Sequence, residues 1–424
     1  MRETYAKMFL TTWNVYKFHA DYAALDGFDP NAQSVPVNER SELDRWILSR
    51  LHTVATDYHD NFTNWQFHKA CRDLEDFMVN DVSNWYVRRS RRRLWDEADS
   101  HDKLSCQHTL HEVLETVCRL VAPVSPFMVD RIHRNLTGES VHIADWPMGV
   151  PGTLEGATAD AWDDDAARAT ARLPPQDTKL EQTMALVREL AEAGRRIRID
   201  GGRRQRLPCA QGWIVAGPDL SAFHDLLAEE LNVEAIRVET DLDRFQRIEL
   251  APNFRALAPK ARAEVNNVAN AIRNAEDPEA LLASINDGGA DVLGVLVEPS
   301  DVEVKRVERE GFAAQTVNSE SESDTVQVSL VLDMNDTPAL LSKGMARDIV
   351  RRVQAKRKAL DLDIEATVDL ELWLSNAPPM NADDVQWVAT ETRAAACVVH
   401  DTEEAPAHAE HFEVDGASVH FIVS

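Results

Sequence analysis

Large apolar residues recur at steps of three and four, in stretches closed by proline, and this pattern restricts the first third of the chain to helices that must bury one side each. The first stretch runs from Tyr5 to Tyr22 and is rich in aromatic residues. Beyond Pro30 and Pro36, Leu43, Trp46, Ile47 and Leu51 resume the stripe. Asn64 to Trp95 continues it through Phe67, Cys71, Leu74, Met78, Val82 and Trp85. A fourth helix is predicted from Leu104 to Val121. Pro123 and Pro126 end it, because an interior proline removes a backbone donor and clashes with the preceding turn. Four such stripes are buried most simply in an antiparallel bundle, so residues 1–145 are predicted to form an all-α helical bundle.

The texture then changes. Residues 146–175 are dominated by Pro, Gly, Ala and Asp, with Asp163, Asp164 and Asp165 in succession, and read as an acidic linker. Beyond residue 175 the chain alternates between short strands and helices. Gly212–Ala216 and Val233–Val238 have strand character, and Pro259–Asn274 and Pro278–Ile285 are predicted helices. Val326, Val328, Leu330 and Leu332, and later Val368, Leu370, Leu372 and Leu374, alternate with their neighbours at the period of half-buried strands. A helix from Pro338 to Leu360 lies between them, and Ala417–Val423 forms a last strand. The fold class is therefore multidomain, a helical bundle followed by two α+β modules, 176–300 and 301–424.

Charge narrows the range of partners. Lys and Arg total 45 against 72 Asp and Glu, a formal charge of −27, so nonspecific attraction to nucleic acid or membrane surfaces is opposed. The 44% hydrophobic content is nevertheless that of a folding chain. A surface this acidic also suits concentrated salt, where the Debye length falls to about 3 Å at 1 M, and a halophilic protein is the expectation. The amino terminus lacks a long apolar core and no run approaches the ~20 apolar residues of a bilayer span, which predicts a soluble, cytoplasmic protein without a membrane partner. Cys71, Cys106, Cys118, Cys209 and Cys397 lack zinc spacing and read as reduced thiols. The pairs His108/His111 and His408/His411 have no third ligand motif, so no metal site is expected.

Against this background the cations are concentrated. Of the 45 bases 35 are Arg, and three clusters hold 17 of the 45. Arg88, Arg89, Arg91, Arg92 and Arg93 follow Trp85 and Tyr86 at a helix end. At 100° per residue Arg89 and Arg92 fall within about 40° of Trp85, so the apolar stripe is predicted to turn cationic there. Guanidinium groups beside an indole and a phenol suit a phosphate backbone with bases alongside. The competing reading is a helix carboxyl end paired with Asp96, Glu97 and other acids. Arg195, Arg196, Arg198, Arg203, Arg204 and Arg206 surround Gly201-Gly202, which reads as a turn between two extended arms. Arg347, Arg351, Arg352, Lys356, Arg357 and Lys358 cover one side of the Pro338 helix. No phosphate-binding glycine loop, Gly-x-Ser-x-Gly elbow or His-Glu-x-x-His helix occurs, so no catalytic residue is named.

The run Glu42-Leu43-Asp44-Arg45-Trp46-Ile47-Leu48-Ser49-Arg50-Leu51, then Asn84-Trp85-Tyr86-Val87-Arg88-Arg89-Ser90-Arg91, then Ala122-Pro123-Val124-Ser125-Pro126-Phe127, resembles the helical anticodon-binding domain of class I aminoacyl-tRNA synthetases of the isoleucine, valine and leucine group. Ser140–Pro147, Pro252–Lys260 and Gly344–Gln354 look like the isoleucyl-tRNA synthetases of the archaeal and eukaryotic type. The resemblance implies the carboxyl-terminal, tRNA-gripping part of an enzyme that joins isoleucine to its tRNA at the expense of ATP. Its partners would be that tRNA and the catalytic and editing domains of the same enzyme. The family's His-Ile-Gly-His and Lys-Met-Ser-Lys-Ser type motifs are absent, so ATP and magnesium are expected only on a catalytic domain outside this chain, and no cofactor in it. Bacterial relatives carry a terminal cysteine zinc site, with which the scattered cysteines here do not agree. The tRNA contacts expected are Trp85, Tyr86, Arg88, Arg89, Arg91, Arg92, Arg93, Arg203, Arg204, Arg206, Arg351, Arg352 and Lys356. Alternatives are a valine-type synthetase fragment, a noncatalytic tRNA-binding subunit that docks a separate catalytic half, and an acidic scaffold without RNA.

Overall fold

The computed structural model describes residues 5–32, 35–95, 100–147, 173–320, 325–363, 366–400, 404–414 and 416–424. Most of the expected acidic linker, 148–172, lies outside the described residues, as do Asp96 and Glu97. The chain divides into two compact units, Met1–Ala185 and Leu186–Ser424.

The first unit is helical throughout its described residues. α1 spans Leu10–Asp26, α2 Glu42–Thr63, α3 Phe67–Asp76, α4 Arg88–Trp95, α5 His101–Val121 and α6 Pro126–Thr137. Between α3 and α4 the same helix continues over Phe77–Val87 with wider, π-type turns. Side-chain caps start α2 and α5. The Ser41 and Ser100 hydroxyls accept the Asp44 and Lys103 backbone N–H groups, satisfying donors that the first turn leaves over. The sequence predicts one helix from Asn64. The chain instead breaks at Asn64–Gln66, where Trp65 has φ 62° and the Gln66 N–H donates to Asn61 O at 2.7 Å. Trp46, Ile47, Leu48, Leu51, Met78, Tyr86, Leu110 and Leu114 are almost wholly buried and make the bundle core.

A helix, α7 (Thr178–Asp200), runs through the division between the units. In the first unit its Glu181 accepts hydrogen bonds from Ser49 Oγ at 2.5 Å, Thr53 Oγ1 at 2.8 Å and Arg50 Nη1 at 3.1 Å.

The second unit is built on small sheets. β1 (Gly212–Val215) pairs in parallel with β2 (Ile236–Glu239) and antiparallel with β8 (Thr325–Asp333), which pairs with β7 (Phe312–Glu320), giving the order β2-β1-β8-β7. β3 (Gln246–Pro252) pairs with β6 (Val302–Glu308), and β4 (Ala290–Val292) with β5 (Val295–Val297). Short helices α8 (His224–Leu231), α9 (Phe254–Ala261), α10 (Val265–Arg273) and α11 (Pro278–Asn286) lie between these strands. The expected module boundary near residue 300 falls between β5 and β6, yet the β3–β6 and β1–β8 pairings run across it. The helix predicted from Pro259 to Asn274 is two helices. Asn253 caps the first through its side chain, with Pro259 inside, and Arg262 at φ 47° separates it from the second. β8 is more buried than a half-buried strand. Val328 and Leu330 face one side, while Val331 packs with Trp213 and Phe245 on the other.

The last module consists of α12 (Pro338–Ala359), β9 (Val368–Ser375), α13 (Ala382–Thr392), β10 (Ala394–His400), β11 (Glu410–Val414) and β12 (Ala417–Val423). Its strand order is β10-β9-β12-β11, parallel only between β9 and β10. Met345, Ile349 and Val353 of α12 and Val388 of α13 close a core over Leu370, Leu372, Phe412, Val419 and Phe421.

Candidate nucleic-acid interface

The structure sorts the 13 expected contact residues by what each touches. In the first cluster the predicted switch from an apolar to a cationic stripe does not occur. The π-type turns change the phase of the helix, and the buried row runs on through Trp85 and Tyr86 to Ser90 and Leu94. Arg88, Arg91 and Arg92 are consequently exposed, and Arg89 is half-buried. The Arg88 Nε donates to Asn84 O at 2.9 Å, and its guanidinium lies 5.7 Å from the centre of the Trp85 ring. Three exposed guanidinium groups thus stand on one short helix, a geometry suited to phosphate oxygens.

Trp85 and Tyr86 lie beneath the arginine-bearing surface. Tyr86 is wholly buried and donates its hydroxyl to Asp44, while burial and that carboxylate push its phenol above its ordinary value. Trp85 is 5% exposed and supports Arg88 from beneath. Arg93 is turned inward too. Its Nη1 and Nη2 donate to Asp44 at 2.9 and 2.6 Å and its Nε to Asp102 at 2.7 Å, so it is a structural guanidinium.

The second cluster departs further from the sequence reading. Arg195, Arg196 and Arg198 lie on α7, whose buried Leu180, Met184, Val187, Leu190 and Ala191 keep helical spacing. Gly202, at φ 65°, follows the end of that helix rather than joining two extended arms. Arg198 is buried and donates to carbonyls, of Leu207 at 2.7 Å, Leu231 at 2.7 Å and Asn232 at 2.8 Å. Burial lowers its pKa, and Arg203 and Arg347 nearby add to that. Arg203 holds Met334 O, Asp336 and Pro208 O at 2.5–3.0 Å. Arg204 and Arg206 both reach Asp348, at 2.8 and 3.5 Å. These arginines stitch the 201–208 segment to its surroundings.

In the third cluster Arg357 is buried on Ala366 O, and Lys356 pairs with Glu410 at 2.6 Å. Arg351 and Arg352 are exposed, the latter with its guanidinium 5.2 Å from the centre of the Phe412 ring. Once the cations held by Asp44, Asp336, Asp348 and Glu410 are set aside, the exposed ones among the expected contacts are Arg88, Arg91 and Arg92 on the first unit and Arg351 and Arg352 on the second.

One residue escapes the sequence reading. Trp65 is 82% exposed, its ring edge-on to Phe67 at 5.7 Å, with Phe67 edge-on to Phe62 at 4.6 Å. Nothing in the spacing marks it, since a lone Trp inside a helical stripe reads as core. A cavity of about 730 Å³ in the same unit is lined by His108, His111, Glu112, Glu115, Arg119 and His133. Glu112 accepts from Arg40 at 2.8 Å and Glu115 from Arg119, an ion-paired lining without surplus positive charge for an anion. Among the described residues no cluster of His, Cys, Asp and Glu fits a metal ion, the five cysteines are free thiols, and no helix is long and apolar enough to cross a membrane.

Comparison with known proteins places this architecture. The family described as "Anticodon-binding domain of tRNA ligase" matches residues 44–211. The chain is 33% identical to isoleucine–tRNA ligase 2 of a Bacillus cereus strain over 382 residues, 87% of the chain and 33% of that protein. It is 32% identical to isoleucine–tRNA ligase of Porphyromonas gingivalis, covering 89% of the chain and 31% of the relative. For isoleucine–tRNA ligase of Streptomyces avermitilis the figures are 33% identity, 90% and 34%. The chain spans about a third of the length of these relatives. Residues 44–211 thus match the anticodon-binding domain family of tRNA ligases, and most of the chain is similar to about a third of the length of isoleucine–tRNA ligases.

Proposed function

We propose that the chain grips an isoleucine-accepting tRNA for ATP-dependent isoleucylation, the chemistry being performed by catalytic and editing domains outside this chain, with ATP and magnesium held there, in the cytoplasm. The observation that carries this reading is the exposed triad Arg88, Arg91 and Arg92 inside the matched anticodon-binding segment. Phosphate contacts of this kind position an RNA without reading it, and discrimination among tRNAs needs splayed loop bases. Replacing Arg91 and Arg92 together by Ala is expected to weaken all tRNAs alike. The expected loss is about tenfold or more at 0.1 M salt, and the slope of log affinity against log salt is expected to fall by about 2. An unchanged slope in a filter-binding titration refutes the patch.

The net charge of −27 supports salt adaptation as part of the same reading. Screening relieves carboxylate repulsion in the folded state, so the melting temperature is expected to climb from dilute buffer to molar KCl. A melting temperature indifferent to KCl is the contrary result.

A further inference from the structure

The terminal sheet buries one face against α12 and α13, and its register brings flat rings together on the other. His400 on β10 is paired with Trp373 on β9, Trp373 with His420 on β12, and His420 with His411 on β11. One row of three imidazoles and an indole therefore crosses all four strands, and at ~4.8 Å between strands it is about 14 Å long. Trp373 is buried, and the His400 imidazole stacks on it with the ring centres 4.4 Å apart and the planes 10° apart. The His400 Nε2 sits 2.7 Å from Glu371, which fixes the ring. His411 and His420 lie ring to ring at 4.6 Å, with Ser418 Oγ 3.0 and 3.4 Å from their Nε2 atoms. His400 and His420 are half-buried and His411 is exposed.

The rim supplies the opposite chemistry. β11 is the edge strand, and Phe412, turned to the core side, carries Arg352 over its ring, while Lys356 reaches Glu410 and Arg351 stands exposed one residue before Arg352. Arg352 and Lys356 thus stand along the edge strand that carries His411. Asp369, Glu371 and Glu413 fall on the ring-bearing face by strand alternation, and their charge keeps phosphates off the sheet and at the rim.

We propose that this face is a platform for unpaired bases of a single-stranded RNA loop, stacked on His400, His420 and His411 with Trp373 as the buried support, the backbone running along the edge strand past Arg352 and Lys356. The proposal rests on the tRNA-binding reading and adds where loop bases are held. A row of rings on a four-stranded sheet beside a cationic strip is the arrangement by which proteins take up two or three bases at once.

The test uses the full chain, a labelled short single-stranded uridine-rich RNA and an isoleucine-accepting tRNA transcript. His400→Ala/His411→Ala/His420→Ala is expected to weaken both RNAs by about 5- to 150-fold, and the corresponding Phe triple variant to restore binding to within about threefold of wild type. His411→Ala/His420→Ala, which leaves the Trp373–His400 stack in place, keeps the test independent of any folding defect. Wild-type affinity in both Ala variants overturns the platform while leaving the Arg91/Arg92 reading intact, and a Phe variant as weak as the Ala triple overturns stacking. If wild type binds the short RNA through these residues but ignores tRNA, the platform stands and the tRNA reading falls. Binding of neither RNA removes both.

Discussion

As the pH is lowered from 6.5 toward 3, the chain is expected to lose stability steadily, beginning well above the range in which its carboxylates protonate. His19 is buried on α1, edge-on to Phe28 at 5.8 Å and 5.9 Å from His111. Burial, reinforced by His111 and His108, lowers its pKa from 6.5 to about 3. His111 is lowered by burial as well, against the pull of Glu115 and Glu112. The folded state therefore keeps His19 neutral where the unfolded chain takes up a proton. For a base whose folded pKa is depressed, the stabilisation is complete above the unfolded value and is withdrawn as pH falls between the two values. Two pH units at about 1.4 kcal/mol each put roughly 3 kcal/mol of loss between pH 6.5 and 4.5, a large part of the stability of an ordinary domain. Protonation of surface acids relieves repulsion over the lower part of this range, so the measurement compares wild type with His19→Phe, which keeps a ring against Phe28 and has nothing to protonate. The urea midpoint of wild type should fall more steeply across this window than that of the variant. Parallel profiles would show that His19 is not the titrating group.

How much of this was legible in the sequence differs by element. The bundle was readable because Trp46, Leu51, Leu74 and Met78 repeat at helical steps and proline stops the runs. The strands β3 and β6 were not, since they pair with each other across a long stretch of chain and charged residues interrupt their alternation, as in Glu303, Lys305 and Arg306. The arginine clusters were visible as composition, but their roles were not. A guanidinium bound to carbonyls, such as Arg198, and one in solvent, such as Arg91, are identical letters, and only burial and partners separate them. The imidazole row has no linear signature either, since its four members are joined by register between strands rather than by spacing.

The same distinction makes Arg93 the most informative arginine to remove. Its bidentate contact with Asp44 joins the start of α2 to the end of α4, and Asp102 adds the first turn of α5, while Tyr86 donates to the same carboxylate. Ser41 Oγ also donates to Asp44, at 2.9 Å. Asp44 is 0% exposed, so all its lone pairs must be satisfied from within the protein. Asp44→Ala strands a partly buried guanidinium and a buried phenol, and Arg93→Ala strands a buried carboxylate. Either is expected to cost about 3–5 kcal/mol in urea unfolding. Replacing both partners by apolar residues of similar size, Asp44→Leu with Arg93→Met, removes the stranded charge and should recover much of that loss, because an ion pair of this kind roughly balances its own desolvation. If Arg93 instead served mainly as a phosphate contact, Arg93→Ala would leave stability within about 1 kcal/mol of wild type and lower the salt slope of tRNA binding as the Arg91 and Arg92 variant does. Stability and salt slope therefore separate an arginine that holds three helices together from neighbours proposed to meet the ligand.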